Sequence, residues 1–520
     1  MVTLYDTTLR DGSQGEGVSF SLQDKLRVAR KLDEIGIHYI EGGWPGSNPK
    51  DEAFFAEAKR LTLKHAKLAA FGSTRRARTP AEEDSQLRLL IESETPVVTI
   101  FGKSWTAHAT EVLRVSLDEN LAMIADSVRF LKSHGREVIF DAEHFFDGYR
   151  ADSEYALAAL AAAQEGGADL LVLCDTNGGS LPSQVSAVVH AVRSRLKAPI
   201  GIHTHNDCEL GVANTIAAVE AGAVHVQGTM NGYGERTGNA NLCSIIPILK
   251  LKLGVECISK ENLAHLSETS AFIDEVANMP PDEQRPFVGR SAFAHKAGMH
   301  VDAVAKNPRM YEHIDPEAVG NSRRVLVSEL AGGSSMVLKA REYGFDLQKG
   351  TPETRAVLDQ LTRREHDGYV YEDAEASFQL LMARALGRYE KLFDLVTYRV
   401  FVGKRALDAE PVTEATLKVR VKGEEVLTVA QGDGPVHALD GALRKALIPF
   451  YPELSHIRLT DFKVRVVNVK EGTAAKVRVL VESADERESW STIGVSTNVI
   501  EASWEALVDS IEYGLSRLRT

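Results

Sequence analysis

The sequence predicts an α/β protein: a (β/α)8 barrel, then a helical connecting subdomain and a C-terminal α+β regulatory domain. Three observations predict this fold. Strand-like and helix-like segments alternate from residue 1 to about residue 250, the length and rhythm of such a barrel. The strand segments are mostly apolar runs, as expected when helices cover both faces of a parallel sheet. From about residue 391, long segments instead alternate polar and apolar residues, which indicates half-exposed antiparallel strands.

Eight strand candidates precede residue 250. They span residues 2–9, 38–43, 67–72, 97–102, 137–143, 169–176, 200–205 and 224–230. A doubly wound sheet is the alternative fold, but it requires a glycine fingerprint after the first strand, and none is present there.

The helices between these strands have recognisable start and stop signals. Ser21 is a predicted N-cap with Asp24 three positions later, and Gly36 ends the apolar stripe that follows. A second helix is opened by Ser116 and closed by Gly135. These signals predict the helices that alternate with the barrel strands.

The remaining chain divides into a helical part and a strand-rich part. Helices are predicted over residues 261–278, 332–340 and 372–386, with a proline-rich surface connection at 280–289. Strands are predicted over residues 394–403, 414–423, 457–468 and 475–483. We therefore expect a barrel over residues 1–260, a connecting subdomain over 261–390 and a regulatory domain over 391–520.

The C-terminal part contains a weak internal repeat. Segments 434–447 and 496–515 each consist of a small-residue turn that enters an amphipathic helix after strands. Two strand–helix units predict a small pseudo-symmetric domain. Dimerisation and ligand sensing are equally good interpretations of it from the residues alone.

Composition excludes several classes of protein. The 520 residues carry a formal charge of −13, which argues against general nucleic-acid affinity. No apolar run approaches the roughly 18 residues that span a bilayer, and the N-terminus has no export signal pattern. The four cysteines are scattered without C-x-x-C spacing, which favours a reducing cytoplasm.

His203 and His205 are the most informative residues of the barrel. They end a buried strand, and residues two apart on a strand point to the same side, so both imidazoles can reach one metal ion. Carboxyl ends of barrel strands build the active site, and Asp11 and Arg10 follow the first strand. A metal held by two histidines and a carboxylate would keep coordination positions open for a bidentate 2-oxo acid. Arg10 can donate a hydrogen bond to the ketone oxygen of that acid. The glycines between residues 228 and 238 favour a tight turn that brings Asn239 to the same place.

Three separated motifs resemble the signatures of one enzyme family. They are residues 8–14 (TLRDGSQ), 203–207 (HTHND) and 232–242 (GYGERTGNANL). In this order they resemble the acetyl-CoA-dependent 2-oxo acid condensing enzymes, which include the isopropylmalate, homocitrate and citramalate synthases. The resemblance extends through AHKAGMH (294–300) and MYEHIDP (310–316) to the C-terminal domain. Residues 42–51 (GGWPGSNPKD) resemble the long-form citramalate synthases.

The resemblance implies a set of site residues. Asp11, His203, His205 and Asn239 match the ligands of a divalent metal, for which Mg, Mn and Zn are the candidates. Arg10 and Glu143 match residues of the active site, and Gln14 and Thr176 lie where the family binds its substrate. His300 and Tyr311 match a histidine and a tyrosine that, in relatives, reach the partner protomer's active site. Met310 precedes Tyr311 here, and this segment varies among relatives.

The resemblance also implies an activity. It is the condensation of acetyl-CoA with pyruvate and water to give citramalate and CoA, by a homodimer with isoleucine as effector at the C-terminal domain. Isopropylmalate synthase, homocitrate synthase and a non-catalytic amino-acid sensor are the alternatives. The general base stays open among Glu143, His300 and Tyr311, because all three side chains can accept a proton.

Overall fold

The computed structural model describes residues 1–296, 298–326, 333–404, 410–467, 472 and 474–518. These residues form two compact units, one of residues 1–293 with 313–323 and one of residues 294–312 with 324–520. Gly332 and Asn468, which begin and end two of the expected elements, lie outside the described residues. Across the described ranges, no helix combines the length and the apolar character that a membrane crossing requires.

The first unit is a closed barrel of eight parallel strands in chain order, which confirms the predicted (β/α)8 fold. The strands are β1 (Thr3–Asp6), β2 (Tyr39–Gly43), β3 (Lys67–Ser73), β4 (Val97–Lys103), β5 (Glu137–Glu143), β6 (Leu170–Asp175), β7 (Ile200–Thr204) and β8 (His225–Gly228). Closure is direct, because β1 pairs with β8 in parallel, with Tyr5 opposite Gln227. Every strand end that carries a candidate site residue therefore faces the same mouth.

Helices surround this barrel and follow the start signals of the sequence. They are α1 (Leu22–Glu34), α2 (Pro49–Ala58), α3 (Ser85–Glu92), α4 (Leu117–Ser133), α5 (Phe145–Ala151), α6 (Ser153–Gly166), α7 (Pro182–Arg195), α8 (Gly211–Glu220), α9 (Leu242–Pro247), α10 (Lys260–Leu263) and α11 (Leu266–Val276). Ser21 and Asp24 form a reciprocal capping box at the start of α1. Gly36 and Gly135, the expected stop signals, both have positive φ. The single helix expected over residues 261–278 is wrong, because the chain breaks between α10 and α11.

In its described residues, the second unit begins with two short strands and four α-helices. They are β9 (Ala294–His295), α12 (Gly298–Lys306), β10 (Arg324–Val325), α13 (Gly333–Glu342), α14 (Pro352–His366) and α15 (Glu375–Ala385). Helix α14 is absent from the sequence-based expectation. Most of its residues are polar, and only Thr354, Val357 and Leu361 are buried.

Two copies of a three-stranded antiparallel sheet with one helix complete this unit, as the internal repeat predicts. The first copy comprises β11 (Phe393–Gly403), β12 (Val412–Val421), β13 (Glu424–Gly432) and α16 (Pro435–Leu447). The second comprises β14 (Arg458–Val466), β15 (Val477–Ala484), β16 (Ser489–Ser496) and α17 (Val499–Leu518). Each copy thus has a third strand, β13 or β16, that the sequence analysis did not identify.

Candidate metal centre and active site

A pocket of about 220 Å³ opens at the carboxyl end of the barrel. Its walls come from the ends or following loops of most barrel strands, as expected for a barrel active site. The lining residues are Arg10, Asp11, Gln14, Trp44, Phe71, Phe101, Asp141, Glu143, Cys174, Thr176, His203, His205, Glu235 and Arg236.

Asp11, His203 and His205 form a buried cluster in this pocket. Their ligand atoms all lie within 4.8 Å of one another. The Oδ2 atom of Asp11 lies 3.3 Å from Nε2 of His203 and 3.9 Å from Nε2 of His205. One hard oxygen and two imidazole nitrogens facing one point are a donor set that suits a divalent metal with open positions.

Asn239 lies beside His205 and has an unused oxygen. The two residues form an isolated antiparallel bridge. Asn239 donates its Nδ2 to the carbonyl of Tyr233 at 3.2 Å, while its buried Oδ1 has no hydrogen-bond partner in the described part of the chain. A Cβ at Gly234, which has a φ of +155°, would come within 2.2 Å of that Nδ2. Gly234 therefore allows the Asn239 amide to approach the backbone closely. The Oδ1 atom of Asn239, which has no other partner among the described residues, can act as a fourth metal ligand.

The electrostatic environment shifts the pKa values of Asp11, His203 and His205. Burial opposes ionisation of Asp11, but the positive charge of Arg10 and the two imidazoles hold its pKa well below its usual range. Burial, together with the charge of the neighbouring His203, lowers the pKa of His205 to about 4. Burial also acts to lower the pKa of His203, but the carboxylate of Asp11 outweighs it and raises that pKa. At neutral pH, Asp11 is therefore an anion and His205 a neutral imidazole with a lone pair to donate.

Gln227 and Asp141 support His203 from inside the barrel. Nδ1 of His203 lies 2.8 Å from Oε1 of Gln227, and Nε2 of Gln227 donates to Asp141 at 3.0 Å. An amide oxygen can only accept, so Nδ1 of His203 carries a proton, and in the neutral imidazole that a metal requires the lone pair lies on Nε2, on the side of Asp11. Burial raises the pKa of Asp141 to about 7. The sequence analysis gave neither residue a role, although a glutamine inside a predicted barrel strand was a usable signal.

Replacing Gln227 by methionine is expected to weaken metal binding by about 10- to 100-fold, as for other partners of metal-bound histidines. The substitution keeps the length of the side chain but removes the acceptor that fixes the His203 tautomer. Competition with a chromogenic chelator measures the affinity. Gln164→Met is the control, because Gln164 lies on α6 and accepts from the backbone of Lys197 and Ala198. Equal affinities of the two variants would contradict the orienting role.

Arg10 is held rigidly beside the cluster. Its Nε donates to Glu41 at 2.6 Å, and its Nη1 lies 3.4 Å from Oδ1 of Asp11. The guanidinium carbon lies 3.7 Å from the centroid of the Phe71 ring. Glu41 is fully buried and also accepts from the hydroxyls of Tyr5 and Thr7. Glu41 therefore orients Arg10, a role that the sequence analysis did not assign.

The other expected site residues divide between the two units. Gln14, Glu143 and Thr176 line the barrel pocket; Glu143 pairs with Lys103, and Thr176 accepts from the backbone N–H of His144 at 2.9 Å. His300 and Tyr311 belong to the second unit, where both are exposed. Their ring centroids lie 4.3 Å apart. The structure thus places these two side chains together.

A closed (β/α)8 barrel with a carboxylate, two imidazoles and an arginine at its mouth has the architecture of a metal-dependent barrel enzyme. Residues 1–273 match the HMGL-like family model, residues 287–364 the homocitrate synthase post-HMGL domain-like model, and residues 372–515 the LeuA allosteric (dimerisation) domain. The chain is 56% identical over 517 residues to the (R)-citramalate synthase of Aquifex aeolicus, covering 99% of this chain and 98% of the relative. The chain therefore belongs to the citramalate synthase family, within the HMGL-like enzymes.

Two further relatives allow the degree of similarity to be compared. The (R)-citramalate synthase of Geobacter sulfurreducens is 54% identical, with 99% of this chain and 98% of the relative covered. A probable 2-isopropylmalate synthase of Archaeoglobus fulgidus is 30% identical, with 100% of this chain and 98% of the relative covered. The similarity to the (R)-citramalate synthases of Aquifex aeolicus and Geobacter sulfurreducens is thus much greater than the similarity to this 2-isopropylmalate synthase.

Proposed function

We propose that this chain condenses acetyl-CoA with pyruvate and water to give citramalate and CoA. The observation that carries the proposal is the cluster of Asp11, His203 and His205 beside Arg10 in a narrow pocket at the barrel mouth. A divalent metal held by this cluster and Asn239 would polarise the ketone of a 2-oxo acid. Arg10 would then donate to the same oxygen as the ketone becomes an alkoxide.

The remaining steps require a base and a water. We propose that a base removes a proton from the methyl group of acetyl-CoA, and the enolate forms a bond to the ketone carbon of pyruvate. Water then cleaves the thioester and releases CoA. Glu143, with its proton-accepting carboxylate, and the adjacent rings of His300 and Tyr311 are proposed to move these protons. Gln14 and Thr176 are proposed to hold the substrate carboxylate, because both offer polar groups to the pocket.

Three aromatic side chains support pyruvate as the 2-oxo acid. Trp44 meets Phe71 and Phe101 edge to face at 5.6 and 5.7 Å, and the two phenylalanines stack at 5.6 Å. These rings fill one wall of a small pocket, which suits a methyl group better than the isopropyl group of 2-oxoisovalerate.

The charges of the pocket disfavour 2-oxoglutarate. Among the described lining residues, the cations are Arg10, paired with Glu41 and Asp11, and Arg236, paired with Asp207 at 2.7 Å. Neither is free to receive a second carboxylate. This arrangement supports pyruvate over the homocitrate synthase alternative.

Release of free thiol from acetyl-CoA tests the proposal when pyruvate, 2-oxoisovalerate and 2-oxoglutarate are compared. We expect pyruvate to give a kcat/KM at least about tenfold above either other acid, since one methylene can be worth that much in a hydrophobic pocket. Faster turnover with 2-oxoisovalerate would indicate isopropylmalate synthesis instead. No thiol release with any of them would favour the sensor alternative.

A matched pair of variants tests the aromatic wall. Phe101→Ala enlarges the pocket and should raise the ratio of 2-oxoisovalerate to pyruvate turnover. Phe130→Ala is the control, because Phe130 lies on α4 and packs against His134. The same ratio of 2-oxoisovalerate to pyruvate turnover in both variants would mean that the aromatic wall does not select the substrate.

We further propose a homodimer that isoleucine regulates through the second unit. The match of residues 372–515 to an allosteric dimerisation domain supports both proposals. Phe401, Leu427 and Val429 on β11 and β13 are exposed apolar residues of the kind that protein interfaces cover. A cytoplasmic location is proposed on the four free cysteines, three of which are buried thiols.

A further inference from the structure

A buried ion pair joins helices α1 and α2 behind the barrel pocket, and neither of its side chains belongs to the pocket lining. Lys25 on α1 is 1% exposed and Asp51 on α2 is 6% exposed, and Nζ of Lys25 donates to Oδ1 of Asp51. Burial lowers the pKa of Lys25, although the carboxylate of Asp51 opposes that shift. Because desolvation is costly, an apolar pair of similar volume is often at least as stable as a buried ion pair. Stability alone therefore does not account for two charges at this place.

Both members of the pair also bind the backbone where β2 ends. Lys25 donates to the carbonyl of Gly42 at 3.0 Å, and Oδ2 of Asp51 accepts from the backbone N–H of Trp44 at 3.0 Å. Gly43 lies between these two bonds with a φ of +149°, and a Cβ there would come within 2.6 Å of the Asp51 carboxylate. The glycine therefore allows the carboxylate to approach, and the ion pair holds the backbone on both sides of it.

Trp44 is the residue that this segment presents to the pocket. Its indole meets Phe71 and Phe101 edge to face and so forms part of the aromatic wall. The indole Nε1 is buried and has no hydrogen-bond partner in the described part of the chain, which is unfavourable for a donor. The place of Trp44 in the wall therefore depends on the ring contacts and on the backbone bond to Asp51.

We propose that Lys25 and Asp51 are positioning residues that determine which 2-oxo acid the pocket accepts. The ion pair holds the backbone from Gly42 to Trp44, and this backbone holds the indole against the two phenylalanine rings. A displaced indole would open the wall to a side chain larger than the methyl group of pyruvate. The effect on substrate choice rests on the proposed function, whereas the effect on the position of Trp44 does not.

Asp51→Asn removes the charge of the pair without changing the volume of the side chain. The two carboxylate oxygens accept from Lys25 and Trp44, but an amide has a single acceptor oxygen, so one of these bonds is lost. Asp33→Asn is the matched control. Asp33 is also a buried aspartate, lies on α1, and accepts from the backbone N–H groups of residues 64–66, which precede β3 at the amino end of the barrel.

Thiol release with pyruvate and with 2-oxoisovalerate measures substrate choice. We expect Asp51→Asn to raise the ratio of kcat/KM for 2-oxoisovalerate to kcat/KM for pyruvate by about tenfold, and Asp33→Asn to leave it unchanged. The KM for pyruvate should rise more than kcat falls, because the wall contacts the substrate in the ground state and the transition state alike. An equal ratio in the two variants would overturn the proposal.

Fluorine NMR measures the position of Trp44 independently of activity. The chain has four tryptophans, so labelling with 5-fluorotryptophan gives a simple spectrum in which Trp44→Phe identifies the Trp44 resonance. That resonance should shift in Asp51→Asn and stay in place in Asp33→Asn, because the ring currents of the two phenylalanines depend on the distance to the indole. An unshifted resonance in Asp51→Asn would overturn the proposal, whereas absence of thiol release by the wild-type protein would contradict only the proposed function.

A double variant provides the test if Asp51→Asn does not fold. Lys25→Met combined with Asp51→Leu replaces the ion pair by apolar side chains and leaves no unpaired charge in the interior. It also removes both bonds to the backbone at the end of β2, so the substrate ratio and the Trp44 resonance should both change. An unchanged ratio or an unchanged resonance in this variant would overturn the proposal.

Discussion

Replacing His203 by alanine is expected to lower kcat/KM for pyruvate-dependent thiol release by about 10³-fold or more. Loss of a Lewis acid removes several kcal/mol of charge stabilisation, and each 1.4 kcal/mol is a factor of ten in rate. The remaining ligands, Asp11, His205 and the neutral amide of Asn239, are a weaker donor set for a divalent ion. Thiol release and chelator competition, measured on the same preparation, should fall together.

His225 provides the control for this substitution. It is also a buried barrel histidine, but it lies on β8 outside the pocket lining, with its Nδ1 2.9 Å from the hydroxyl of Thr3. His225→Ala should lower the free energy of unfolding by about 1–3 kcal/mol through the lost hydrogen bond. It should leave metal affinity unchanged. Full activity of wild-type protein after exhaustive chelation would contradict the metal-dependent proposal.

The barrel could be predicted because its strands have a strong signal. Their residues are buried on both faces, so each reads as an apolar run that ends at a polar mouth, as in 200–205. The two missed strands lack that signal. In β13 only Ala430 is buried, and β16 contains three serines among its eight residues. Helix α14 was missed for the same reason, because its many charged residues hide a short apolar stripe.

The residues of the site also divide into those that could be predicted from the sequence and those that could not. Asp11, His203 and His205 could be expected to meet because strand periodicity and the barrel rule place all three at one mouth. Gln227 and Glu41 could not be given roles from the sequence. Each acts through a contact between neighbouring strands whose partner depends on their register, as in the pairing of β7 with β8, which sets His203 opposite Gln227. Only the folded structure brings Gln227 to His203.

Replacing Arg10 by lysine is expected to lower kcat by about 10²–10³-fold, the usual cost of removing a donor to a developing oxyanion. Lysine keeps the positive charge but not the planar fork by which Arg10 contacts Glu41 and Asp11 together. The KM for pyruvate should change less than kcat, because the lost contact strengthens as the alkoxide forms. Steady-state thiol release measures both constants.

Metal binding distinguishes this substitution from the loss of a ligand. Arg10→Lys should keep its metal in chelator competition while kcat falls, whereas His203→Ala should lose both. Arg236→Lys is the control, because Arg236 also lines the pocket but is partly exposed and paired with Asp207. Its exposed ion pair is worth about 0–1 kcal/mol, so kcat should change by less than about tenfold. Equal losses of kcat in the two arginine variants would mean that Arg10 contributes only a general positive charge to the pocket and makes no specific contact with the oxyanion. A selective loss in Arg10→Lys would assign the contact with the ketone oxygen to the guanidinium that Glu41 holds in place.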